Sequence, residues 1–103
     1  MTKTLVHMDW RQRVVYPVSG AQPQVLADSD KYKVIVGGLE VGQKIPAHPE
    51  ASGIYIFLEG NGVITVDEDL LSVEPGEIVI VPDGAKRGIE AKTRLSFVAI
   101  KVI

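Results

Sequence analysis

Few side chains in this sequence of 103 residues could do chemistry, and their types narrow the options at once. There is no cysteine, which excludes disulfides, thiolate zinc sites and cysteine nucleophiles. Only two histidines occur, His7 and His48, and His7 lies in the far amino-terminal stretch, so one chain cannot build a site of three imidazoles. His48 stands two residues before Glu50, close enough in sequence to offer a metal ion one nitrogen and one oxygen ligand, or to shuttle a proton near neutral pH. Ser52 is also near His48, but no oriented acid accompanies them to complete a nucleophilic set. Arg87 supplies the opposite chemistry: a permanent positive charge that repels a divalent cation and suits a carboxylate or phosphate.

The stretch that must position Arg87 is residues 75–87. Pro75-Gly76 is a turn pair, residues 78–81 are four β-branched residues in a row, and Pro82-Asp83-Gly84 is a second turn. So short an apolar run fenced by turns predicts a strand buried on both faces, within a sandwich or barrel. The chain after the second turn then delivers Arg87 to the mouth of that barrel.

The other segments agree with this architecture. Lys31, Lys33 and Ile35 alternate with Tyr32, Val34 and Val36, and the following Gly37-Gly38 predicts a bulge or a close backbone approach. Residues 54–58 and 63–66 are apolar runs joined by the turn Glu59-Gly60-Asn61-Gly62, which predicts a hairpin over 54–66. Asp67-Glu68-Asp69 is a further turn before a short strand at 70–73. The closing run 94–103 alternates first and then turns apolar on both faces. No apolar stripe recurs at helical spacing, so roughly eight to ten short antiparallel strands are expected in an all-β fold.

These residues resemble the cupins, small double-stranded β-helix (jelly-roll) barrels with two sequence motifs. The second motif is matched by Gly76-x5-Pro82-x-Gly84-x2-Arg87-x3-Ala91, with all three scaffold residues in place and Arg87 and Ala91 at the two polar positions. For the first motif, counting back from Gly60 puts its glutamate slot at Gly53 and its histidine slots at Pro46 and His48; counting forward from Gly42 puts the histidine slots at His48 and Glu50. The backward count is preferred, because the strand before Gly60 has no room for an insertion. In metal-containing members three histidines and the glutamate hold iron, manganese, nickel or zinc at the barrel mouth. The resemblance therefore implies a single cupin domain over 1–103, with a conserved barrel over 34–102 and an amino-terminal extension over 1–20, but a degenerate metal set. Gly53 in the glutamate slot opens volume beside Tyr55, which shares its side of the strand and faces the barrel interior.

Arg87 then has three options: to pair with the Glu50 carboxylate, to clamp an anionic ligand, or to point to solvent. The leading expectation is a metal-free cupin that binds a small anionic organic molecule through Arg87, His48, Tyr55 and Glu50, with no cofactor. The alternative is a metal-dependent dioxygenase or isomerase with a reduced set of His48 and Glu50.

Composition frames the rest. The formal net charge of -2 provides no basic field for nucleic acid. No run is long enough to span a bilayer, and the amino terminus lacks the apolar segment of a secretion signal, so a cytoplasmic protein with no membrane partner is expected. A core this small, with apolar second faces around Ile56 and residues 98–102, predicts a homodimer, in which residues 4–8 add to the partner's sheet edge.

Overall fold

Short β-branched runs punctuated by turn residues fold into nine strands among residues 4–103, the part of the chain that the computed structural model describes. The first three residues of the stretch read for a secretion signal lie outside it. The strands are β1 (Gln24–Asp28), β2 (Tyr32–Leu39), β3 (Lys44–Pro49), β4 (Gly53–Glu59), β5 (Gly62–Val66), β6 (Asp69–Val73), β7 (Ile78–Val81), β8 (Lys86–Ala91) and β9 (Leu95–Val102). They pair antiparallel in two sheets, one ordered β1-β2-β9-β4-β7 and the other β3-β8-β5-β6. One 3-10 turn, Trp10–Gln12, is the only helical element among the described residues. No helix among them is long and apolar enough to cross a membrane.

Period-two alternation sets what each sheet turns inward. On β4 the buried residues are Gly53, Tyr55 and Phe57, and on β9 Leu95, Phe97 and Ala99 lie on the same side as Lys101. Gly53 pairs with Lys101, Tyr55 with Ala99 and Phe57 with Phe97, so the two strands run from a polar end to a closed apolar end. At the closed end Leu39 pairs with Leu95, both with no exposure. The second sheet contributes Ile64, Ile89 and Ala91 to the same core.

Gly37 is a close approach with no bulge: the β2–β9 register is regular, and a Cβ there would sit 2.5 Å from the Phe97 ring.

Two expectations are corrected. Residues 54–66 are no hairpin, because β4 pairs with β7 and β9, whereas β5 pairs with β6 and β8. Both strands carry an apolar set that must meet the other across the core, so the Gly60-Asn61 corner passes the chain from one sheet to the other. Nor is β7 buried on both faces. It is an edge strand held by β4 alone; Val79 and Val81 turn inward while Ile78 and Ile80 are 60% and 74% exposed. β-branched residues satisfy strand propensity whichever way they face, and the sequence run does not distinguish the two sides.

Candidate functional site

The turn Pro82-Asp83-Gly84 and the start of β8 place Arg87 inside the barrel, where it is 1% exposed. Its guanidinium is held by backbone carbonyls. Nε donates to Ala85 O at 3.1 Å, Nη1 to Ala51 O at 2.6 Å, and Nη2 to Glu50 O at 3.0 Å, Ala85 O at 2.8 Å and Pro82 O at 3.3 Å. These bonds tie the loop between β3 and β4 to the turn before β8, as does the 2.8 Å bond from Gly84 N to Glu50 O. The expected pairing of Arg87 with the Glu50 carboxylate is therefore corrected. Arg87 takes the main-chain oxygen of Glu50, and no ion pair among the described residues includes it. Nor does it point to solvent.

Gly53 explains where the guanidinium finds room. A Cβ at that position would lie 3.0 Å from Arg87 Nη1 and 3.1 Å from Tyr55 Cε1, so any larger side chain would compete with Arg87 for the space. Tyr55 is 4% exposed on the neighbouring wall. Burial pushes its phenol pKa up; the neighbouring Arg87 guanidinium pulls the other way without overcoming it, and the Glu50 charge adds to the rise. Tyr55 thus stays a neutral O–H donor.

Glu50 and His48 form the rim. One Glu50 oxygen lies 2.8 Å from His48 Nε2 and the other 3.1 Å from Lys101 Nζ. Burial opposes the charged carboxylate, but the bonds and charges of Lys101 and His48 together outweigh it and hold the Glu50 pKa below its ordinary value. His48 Nδ1 lies 3.0 Å from Pro46 O. A carbonyl only accepts, so Nδ1 donates there; Nε2 is left to the Glu50 carboxylate, and both bonds form together when the ring is doubly protonated. With both nitrogens engaged, His48 has none to offer Ser52 or an incoming group.

Between these walls lies a cavity of about 210 Å³. Ile35, Ile45, Ile89 and Phe97 make it apolar, while Tyr55, Arg87, Glu50, His48 and Lys101 give it one polar side. The structure thus brings together the four residues expected from sequence. It adds Lys101, which the alternation Leu95, Phe97, Ala99, Lys101 turns inward; that signal was present in a run otherwise read as apolar on both faces.

The cupin domain model matches residues 34–101, about two thirds of the sequence. This chain is a cupin. A conserved protein of unknown function from Streptococcus pyogenes superposes with a TM-score of 0.85 at 20% identity, over 98% of this chain and 90% of that one. A cupin superfamily protein from Desulfitobacterium hafniense gives 0.77 at 24% identity, over 81% and 77%. A predicted oxalate decarboxylase from Thermotoga maritima gives 0.75 at 20% identity, over 81% and 80%. At these identities the likeness is one of fold. No curated protein matches the sequence.

The metal of other cupins does not fit the residues this cupin presents. Among the described residues no three His, Asp or Glu side chains gather to hold an ion. His48 and Glu50 are turned to each other, and the space beside Gly53 is filled by a guanidinium. An ion placed there would meet a fixed positive charge in a medium of low dielectric.

Proposed function

We propose that this cupin binds a small organic acid in its barrel without a metal ion. The observation that carries the reading is an apolar cavity whose wall holds a buried guanidinium with no carboxylate partner. Carbonyl dipoles satisfy its hydrogen bonds but leave its net charge, and a buried charge left unneutralised favours an anion nearby. Arg87 acts here chiefly through its field and through Tyr55, since most of its N–H groups are already committed. Ile35, Ile45, Ile89 and Phe97 take the apolar body of the ligand, and the Tyr55 hydroxyl donates to its acid group.

Thermal-shift and calorimetric titration of small carboxylates and sugar phosphates tests this. A ligand that raises the melting temperature of the wild type, and loses that effect when Ile45→Trp fills the cavity, is the expected result. A cavity that takes no acid, or takes it equally well in Ile45→Trp, sinks the reading. The alternative, a metal-dependent dioxygenase or isomerase using His48 and Glu50, has no observation in its favour beyond the family, and stoichiometric metal in protein purified without chelator would revive it.

We also propose a homodimer. Ile78 and Ile80 on β7 adjoin Ile56 and Ile54 on β4, which adjoin Val98 and Ile100 on β9, giving one aliphatic sheet face turned away from the core. Residues 4–8 belong to no strand, and Leu5, Val6 and Met8 are 58%, 70% and 87% exposed, which suits an arm that reaches a second copy. Sedimentation should give twice the chain mass for the wild type and the monomer mass for Ile80→Lys; a monomeric wild type ends the proposal.

A further inference from the structure

The cavity's lining holds one acidic side chain, Glu50, and that carboxylate already bonds a cation a ligand acid would want. Tyr55 and Arg87 are fixed in buried strand positions, and Lys101 is on β9. Glu50 instead follows β3 in the loop that leads to β4, with its side chain 26% exposed. On that loop its carboxylate, shared between His48 and Lys101, can turn to His48 alone without disturbing a strand. Its main-chain oxygen stays pinned by Gly84 and Arg87 while the side chain moves.

The charges define what could replace it. Glu50 lies 2.8 Å from His48 and 3.1 Å from Lys101, so when it turns to His48 alone the Lys101 ammonium and the Arg87 guanidinium face the cavity without its bond. One incoming carboxylate meets both cations. A second one on the same molecule would be driven among Ile35, Ile45, Ile89 and Phe97, where no partner awaits it. The lining therefore selects an apolar monocarboxylate.

We propose that Glu50 is a tethered competitor: it occupies Lys101 while the cavity is empty and yields that ammonium to the carboxylate of an apolar monocarboxylic acid. Lys101 and the Tyr55 hydroxyl then hold the ligand's acid, and Glu50, remaining with His48, sets how tightly it is held. The inference rests on the organic-acid reading of the same cavity and names the acid's class and its charge partner.

The two readings separate in one set of titrations. Benzoate and hexanoate, with benzamide and hexanamide as neutral counterparts, are titrated by calorimetry into the wild type, Glu50→Gln and Lys101→Met, each first shown folded by its melting curve. Removing the competitor should tighten both acids about tenfold in Glu50→Gln, and removing the ammonium should weaken them about tenfold or more in Lys101→Met. Both variants should change the binding of the neutral amides far less than that of the acids. Acids that bind the wild type but bind Glu50→Gln no more tightly make Glu50 an ordinary contact, which overturns the competitor and leaves the cavity reading standing. Acids that bind neither the wild type nor Glu50→Gln, with both folded, overturn the monocarboxylate inference, and the cavity reading falls with it when the wider set of carboxylates and sugar phosphates also fails to bind.

Discussion

The two ends of the barrel are built by the same strands and differ in what those strands turn inward. At the closed end Leu39, Phe57, Leu95 and Val73 pack at 0–1% exposure. At the other end β4 and β9 carry Gly53 and Lys101 in register, and β8 brings Arg87 alongside. One end is held by apolar contact; the other by a cation bonded to four carbonyls. The difference teaches that one jelly roll can close one end by apolar packing and brace an open, charged mouth by bonds from a single guanidinium to main-chain oxygens.

Breaking the closed end should cost most. Phe57→Ala leaves a void beneath Phe97, whose ring centroid is 6.0 Å away, and should lower unfolding free energy by about 4 kcal/mol in urea titration. A cost near that of an exposed substitution would mean that this end of the barrel is loosely packed. Arg87→Met comes next. It removes the Arg87 donors from the carbonyls of Ala51, Glu50, Pro82 and Ala85, of which Glu50 keeps Gly84 N and Pro82 keeps Ala85 N, and should cost about 3 kcal/mol, with faster amide exchange in the loop after β3 and in the turn before β8. If exchange rises evenly through the barrel instead, the cation does not hold the mouth locally.

The smallest effect belongs to Glu50. Its folded pKa lies below the ordinary 4.5, so its contribution is complete above that value and disappears as pH falls through the lower folded one. Because the carboxylate stands at the rim, part exposed and opposed by its own desolvation, the loss should stay under about 1 kcal/mol. A wild-type stability advantage over Glu50→Gln that shrinks on acidification below about pH 5 is expected from urea titrations across that range. An advantage that grows instead would reverse the assigned direction.

How much of this was legible in the sequence depended on whether neighbours along the chain or across it decide the matter. The turn residues Gly76, Pro82 and Gly84 fixed the fold family and delivered Arg87 to the mouth, since turn chemistry is local. The two faces of residues 78–81 were illegible, because Ile and Val suit a strand inside or out; Ile78 and Ile80 are exposed because they lie on the face turned away from the core, at the edge of the sheet. The sheet change at Gly60 was hidden for a similar reason: adjacent apolar runs read alike whether they pair or face each other. At the site, sequence suggested a carboxylate for Arg87 because charges attract. The main-chain oxygens that hold it belong to residues whose side chains give no sign of that role.

An arginine installed in this way differs from a coordinated ion in one practical respect. It cannot be stripped by a chelator, displaced by a more abundant competitor or switched between oxidation states. Whatever the barrel does with that positive charge is available from the moment the chain folds, independent of any cell's supply of transition elements.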